Sequence, residues 1–384
     1  MKPLAGFEYQ ERGRFFGQIA EGMEELAALE LSELGAVNIH ATYRGLYFEG
    51  SREVLCRVNY HSRLLTRVLA PLKVFHCHDT AYLYRQVKGM EWSSLFSPDR
   101  TFAVMSSVSH SAVRHSRYAA LCVKDGIADH FQERFGARPS VRKENPDLWV
   151  HLHLENNLAT ISLDTSGGSL HRRGYRTESV EAPMQETLAA AIVRLAEWDG
   201  SRNLHDPFCG SGTLLAEALM LHCRIPAAFL RRRFGFEYLP DFDKALWSRV
   251  KDEGIKEIRP LREALISGSD VSAEAVRAAS KNLRNLPFGE KIGLKIMDIQ
   301  HIPSLEGSLV VCNPPHGIRL RIDENITHFY KLLGNFLKQK CKGATVFLYL
   351  GNRELIPHIG LKPAWKKPLP SGGLDGRLVK FEIY

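Results

Sequence analysis

The chain has 384 residues, 44% hydrophobic and 24% charged, with 51 Lys and Arg against 43 Asp and Glu. That length allows two or three domains with substantial cores, and the composition is that of an ordinary globular protein. The net charge of +8 and pI near 9.1 suit a polyanionic partner, though charge alone says nothing about fold. Cysteines at 56, 77, 122, 209, 223, 312 and 341 are odd in number and form no C-x-x-C pair. That argues against a zinc site or a disulfide framework and for reduced thiols in the cytoplasm. No apolar run reaches the length of a membrane span, and the N-terminus lacks a signal-peptide core, so a soluble, intracellular protein without a membrane partner is expected.

Residues 1–14 carry no clear signal, and 14–20 read as a first strand. A loosely helical stretch over 21–34 ends at Gly35, and 43–48 read as a strand. Ser51 can cap a helix whose apolar face runs through Val54, Leu55, Val58, Leu65, Val68 and Leu69. Arg57, Arg63 and Arg67 lie elsewhere on it, a solvated face more readily than a phosphate stripe. From 72 to 170 the pattern is compact α/β: a strand over 101–108, a helix over 118–135 stopped by Gly136, and a hairpin around Asn156-Asn157. His151 and His153 share one strand face, for which solvent exposure is a better reading than a metal. The basic run Leu170-His171-Arg172-Arg173-Gly174-Tyr175-Arg176 suits phosphate contact and base stacking as well as it suits a solvated linker. A domain boundary is expected there.

Beyond residue 179, helices and strands alternate as in a doubly wound parallel sheet. A helix over 183–198 precedes a short strand at 203–205, which leads into Asp206-Pro207-Phe208-Cys209-Gly210-Ser211-Gly212-Thr213 and a strong helix former. Glycines let such a turn approach a ligand closely, and the helix start offers unpaired N–H groups. The next strand, 264–268, delivers Asp270, 64 residues after Asp206, with the extra length in an insertion over 224–262. A helix over 272–286 follows, then strands ending at Asp298 and at Asn313, a helix over 326–338, a buried strand over 344–350 and a last strand over 378–384.

Asp206, Asp270, Asp298 and Asn313 therefore stand at the ends of successive strands, the edge where open α/β sheets bind ligands. Asp270 can accept two ribose hydroxyl protons, and Asp298 the exocyclic amine of an adenine. Asn313-Pro314-Pro315-His316 answers a second need. An exocyclic base amine is a poor nucleophile, because its lone pair is delocalised. Acceptors at the Asn313 side chain and the Pro314 carbonyl can localise that lone pair without any covalent intermediate. The prolines stiffen the loop and remove competing donors. The two motifs together resemble the signature of S-adenosylmethionine amino-methyltransferases.

With Asp164-Thr165-Ser166-Gly167, the basic run at 171–176, and Ala182-Pro183-Met184-Gln185-Glu186-Thr187-Leu188 added, the chain resembles bacterial THUMP-domain RNA guanine-N2 methyltransferases, in their stand-alone form. The resemblance covers nearly the whole chain. It implies a ferredoxin-like segment over 1–70, a THUMP domain over 71–170 and a class I, Rossmann-like methyltransferase domain over 171–384. It also implies S-adenosyl-L-methionine as donor, no metal, and structured RNA as partner: 23S rRNA, alternatively tRNA, with a non-catalytic RNA-binding factor as the rival of another class. Cofactor contacts fall to Asp206, Pro207, Phe208, Gly210, Ser211, Gly212, Thr213, Asp270, Asp298 and Asn313. Catalysis falls to Asn313, Pro314, Pro315 and His316, and RNA contact to Arg172, Arg173 and Arg176. Two residues depart from the family pattern: His316 stands where tyrosine is usual, and Ser272 where a second acid often follows.

Overall fold

The computed structural model describes residues 6–180, 183–315 and 324–384. The chain forms two compact units, one from residues up to Ile19, Ala27–Leu170 and Arg231–Lys251, the other from Ala20–Leu26, His171–Leu230 and Asp252–Tyr384.

In the first unit the order is α1 (Glu8–Arg12), β1 (Arg14–Gln18), α2 (Glu24–Glu33), β2 (Val37–Thr42), β3 (Gly45–Glu49), α3 (Arg52–His61), β4 (Arg67–His76), α4 (Thr80–Lys88), β5 (Phe102–Ser109), α5 (Ser116–Phe135), β6 (Leu148–Glu155) and β7 (Leu158–Asp164). One seven-stranded sheet runs β2-β3-β1-β4-β7-β6-β5. All its pairings are antiparallel except β5 with β6, which α5 connects as a crossover. The ten-residue β4 pairs with β1 on one side and β7 on the other, so one strand carries both halves of the sheet. Local signals are placed as the sequence suggests. Ser51 caps α3 through the Val54 N–H at 3.3 Å, and Gly136 ends α5 at φ +67°. Asn156 and Asn157, at φ +50° and +62°, turn the β6–β7 hairpin.

Two expectations fail here. The helix from Ser51 stops at His61, and Val68 and Leu69 belong to β4. The buried Glu30 carboxylate accepts hydrogen bonds from Ser62 Oγ, Arg63 N and Leu64 N, at 2.7, 2.9 and 3.3 Å. These tie down the backbone that a longer helix would need. Second, His151 is buried at 7% exposure, while only His153 is solvent-facing. Burial pulls the His151 imidazole down to about 4.

In the second unit the order is α6 (Glu186–Leu195), β8 (Leu204–Asp206), α7 (Thr213–His222), α8 (Lys244–Lys256, whose first turns fall in the first unit), β9 (Ile266–Asp270), α9 (Ala273–Arg284), β10 (Gly293–Ile296), β11 (Leu309–Cys312), α10 (Glu324–Lys340), β12 (Thr345–Leu350), β13 (Trp365–Pro368) and β14 (Arg377–Glu382). The sheet order is β10-β9-β8-β11-β12-β14-β13. The first five strands are parallel, and β14 and β13 return antiparallel. Strand order reverses between β8 and β11, so the ligand crevice of an open α/β sheet falls between their C-terminal ends.

The insertion after α7 does not stay with this sheet. Residues 231–251 belong to the first unit. There Trp247 meets Tyr60, Phe234 and Phe236, with ring centroids 5.3, 5.2 and 5.1 Å apart. Phe236 N donates to Thr165 O at 2.8 Å, and Arg231 donates to the carbonyls of Ser166 and Ser169. The long spacing between Asp206 and Asp270 is thus a strap that completes another core.

Candidate functional site

The glycine-rich turn is shaped from within. Asp206 is 1% exposed and accepts the Phe208 N–H at 3.0 Å, and Cys209 N donates to Ser269 O at 3.0 Å. Burial, with the charge of Asp270 adding, pushes the Asp206 carboxyl up to about 8. Gly210 (φ +51°) and Gly212 (φ +84°) both need the left-handed region. A Cβ on Gly212 would come within 3.1 Å of Ala279 Cβ on α9, whereas one on Gly210 would meet nothing nearer than 3.9 Å. Gly212 therefore serves helix packing, and Gly210 leaves the open face. Asp206, Pro207, Ser211, Gly212 and Thr213 are buried, and they build the loop rather than line its open side. Phe208, Gly210, Asp270, Asp298 and Asn313 are the half-buried members.

Asp270 closes the turn across β9. One of its oxygens accepts Gly210 N at 3.0 Å, the other Ser272 N at 2.9 Å. Each oxygen keeps a further lone pair for a ligand. Asp298 accepts Gln300 N at 2.8 Å, so one of its oxygens caps the following turn. Val271, next to Asp270, is 68% exposed. Sequence reading passed over it, although an apolar residue directly after a strand-end acid is a usable signal.

The junction before α6 requires a correction. Arg173 was expected to meet RNA, but its side chain is 1% exposed and its Nε lies 3.3 Å from Glu217 Oε1 on α7. Tyr175 OH donates to the same oxygen at 3.3 Å. Arg176, with its side chain 16% exposed, donates to Met184 O at 2.8 Å and Thr213 Oγ1 at 3.0 Å, and pairs with Glu186 at 3.2 Å. Both arginines grip the helix that follows the glycine turn. A buried guanidinium needs a carboxylate, and α7 and α6 supply one each. Only Arg172 is exposed, in a hollow of about 400 Å³ shared with His171 and Met184. Asn282 on α9 was not foreseen. Its carbonyl oxygen accepts Thr177 N and Glu178 N, and its amide donates to Glu178 O and Ser211 O, all within 3.0 Å. A polar residue inside an amphipathic helix pattern was the signal.

Asn313 follows β11 at the reversal of strand order. Its Oδ1 is buried and has no hydrogen-bond partner among the described residues. A buried acceptor left open costs free energy unless a ligand donates to it. Tyr330 of α10 donates to Pro315 O at 3.2 Å, and Phe329 stacks edge-on with Phe208 at 5.7 Å. The Asn-Pro-Pro turn and the glycine turn are thus both backed by α10. His316, residues 317–319 and Ala182 lie outside the described residues.

Residues 173–380 match the family described as the RMKL-like methyltransferase domain, residues 77–164 the THUMP domain, and residues 14–69 the RlmL ferredoxin-like domain. The chain belongs to the RMKL-like methyltransferase family. In chain order this member carries a ferredoxin-like domain, a THUMP domain and a Rossmann-like methyltransferase domain. It is 38% identical over 372 residues to slr0064 of Synechocystis sp., to which an RNA methyltransferase activity is ascribed, covering 96% of this chain and 97% of that protein. It is also 38% identical over 385 residues to the ribosomal RNA large subunit methyltransferase K/L of Syntrophotalea carbinolica. That match covers 96% of this chain but 53% of the relative, so the chain spans about half the length of such K/L proteins. Among solved structures, SMU.472, a methyltransferase by its description and crystallised with SAH, superposes with a TM-score of 0.85 at 28% identity, covering 97% of this chain and 98% of that one. No helix among the described residues is long and apolar enough to cross a membrane.

Proposed function

We propose that this methyltransferase moves a methyl group from S-adenosyl-L-methionine to the exocyclic N2 amine of a guanine in structured RNA, 23S rRNA in the cytoplasm. The observation that carries the reading is the buried, unpartnered Asn313 Oδ1 at the strand-order reversal. The family match, the slr0064 and K/L relatives and the SAH-bound neighbour support it.

The residues present fit the cofactor. Gly210 leaves an open approach, Asp270 holds spare lone pairs for two ribose hydroxyls, and Asp298 has a free oxygen for an adenine amine. Val271 offers exposed apolar surface for the adenine ring. The cofactor supplies an electrophilic sulfonium methyl. Asn313 Oδ1 and the Pro314 carbonyl would accept the two N–H bonds of the target amine and so aim its lone pair at the methyl; as the carbon–sulfur bond gave way to a carbon–nitrogen bond, the nitrogen would shed one of its protons to solvent. This is catalysis by positioning and electrostatics, and it needs no nucleophile from the protein. The amine itself does not select guanine, since adenine and cytosine offer the same donors. Selection rests on the remaining base edge and on RNA shape delivering an extruded nucleotide.

Nucleoside mass spectrometry of 23S rRNA and tRNA, from cells with and without the gene, tests the reading. Loss of N2-methylguanosine from 23S rRNA is the expected result. Loss from tRNA instead would move the substrate, N6-methyladenosine would move the base, and no labelled methyl transfer to any RNA would leave a binding factor.

A further inference from the structure

Positive charge is unevenly spread. Residues up to 170 hold 19 Lys and Arg against 19 Asp and Glu, whereas residues 331–384 hold ten against three. Nearly all of the chain's +8 therefore lies in the last stretch of the methyltransferase domain. Part of it lines a cleft of about 600 Å³ walled by Arg353, Ile356, Pro357, Lys366, Pro368 and Arg377. Asp375 bridges two of these cations, 3.4 Å from Arg353 Nε and 2.5 Å from Arg377 Nη1. Lys366 is exposed, so three cations face one acid. The prolines and Ile356 give the cleft an apolar floor.

Its position follows from strand register. Cys312, next to Asn313, pairs with Leu348; Leu350 pairs with Arg377, and Arg377 with Pro368. The cleft thus opens on the same edge of the sheet as Asn313. It lies two to three strands away, about 10–15 Å at the usual inter-strand spacing. A base extruded into the Asn313 site leaves its flanking nucleotides to run along this edge. A groove of cations over an apolar floor is what such a single strand requires.

We propose that this cleft holds the RNA strand flanking the methylated nucleotide, with phosphates on Arg353, Lys366 and Arg377 and a base face on the proline floor. The proposal rests on the reading of the Asn313 site as an RNA methylation site.

The test is a double variant, Arg353→Glu with Lys366→Glu, on the exposed wall. Calorimetric titration with S-adenosylhomocysteine should give wild-type affinity, which establishes a folded cofactor site. Binding to deproteinised large-subunit rRNA should weaken at least tenfold at about 0.1 M salt, and the slope of log affinity against log salt should flatten by about 1.4 for two lost phosphate contacts. Photo-crosslinking of the wild type to 4-thiouridine-substituted rRNA should mark peptides within 353–377, a readout that needs no variant to fold. Unchanged affinity and slope, or cross-links confined to residues before 170, would overturn the cleft while leaving methyl transfer standing. A wild-type protein that neither binds nor methylates RNA would overturn both readings.

Discussion

Strand β2, at one edge of the first sheet, has five of its six residues exposed, whereas β11 and β12 in the second are buried at every position. An antiparallel sheet can leave a face to water, but crossover helices cover both faces of a parallel one. The contrast bears on where chemistry can sit. Parallel strands all end at one edge, so Asp206, Asp270 and Asn313 converge there. Antiparallel strands divide their ends between two edges, and what the first sheet offers must be presented on its faces. The region up to residue 170 is net neutral, whereas residues 331–384 carry ten Lys and Arg against three Asp and Glu.

Each unit carries an arginine–carboxylate pair on a buried acid, the half-buried Arg67 with Asp164 in the first and the buried Arg173 with Glu217 in the second. The largest expected effect comes from separating their consequences. Arg173→Met should cost roughly 3–5 kcal/mol, because Glu217 is left buried without its cation, and it should also weaken cofactor binding as α7 loosens. Arg67→Met should lower thermal stability yet leave affinity for S-adenosylhomocysteine unchanged. Equal losses of affinity in both variants would erase the distinction between the units.

Next in size is Asn313→Ala, expected to slow single-turnover methyl transfer about 10²–10³-fold, with cofactor affinity within about twofold of wild type. A normal rate would remove the edge site from the chemistry. Asp270→Ala should weaken S-adenosylhomocysteine by roughly 1–3 kcal/mol in calorimetry, since the ribose contacts proposed for it would be charge-assisted hydrogen bonds. Wild-type affinity in that variant would place the ribose elsewhere.

The smallest effect is in pH. The Asp206 carboxyl is held up to about 8 in the fold by burial, while in the unfolded chain it titrates near 4. The unfolded state therefore binds fewer protons across that window, and stability must fall as pH rises from about 4 through about 8. Between about pH 6 and pH 8 the loss should be on the order of 2 kcal/mol, read as a drop in melting temperature. Asp206→Asn keeps an acceptor for the Phe208 N–H but cannot titrate, so its melting curve should be flatter with pH. An identical slope in both proteins would show Asp206 ionised in the fold.

Much of the second sheet was legible, because local chemistry dictates it. The apolar run that becomes β12, the glycines before α7 and the acid after β9 all stand where sequence reading set them. What escaped was settled by distant partners. No signal near Ser62 announces that Glu30, thirty-two positions earlier, ends α3 there. Arg173 reads as a surface cation until Glu217 is brought to it, forty-four residues on. Strand β2 alternates apolar and polar residues from Val37 to Thr42 and was still passed over, whereas β13, Trp-Lys-Lys-Pro, is too short and too basic to show an alternation. In the site, residue types were readable but division of labour was not. Burial separates Asp206, which builds the loop, from Asp270, which faces its opening.

The strap at 231–251 has a consequence for the order of assembly. Tyr60 lies in the first unit's helix α3, yet the rings of Phe234 and Trp247 that it packs against are translated much later. A ribosome that has finished Leu170 must add a further 251 − 170 = 81 residues before that core can close. At ordinary synthesis rates this is a wait of roughly 4–16 s. The N-terminal unit therefore cannot close before part of the second has been made, as a bead on a string would. Its completion waits on the emergence of the glycine turn and α7, and it can close while the second sheet still lacks β11 to β14, which end at Glu382.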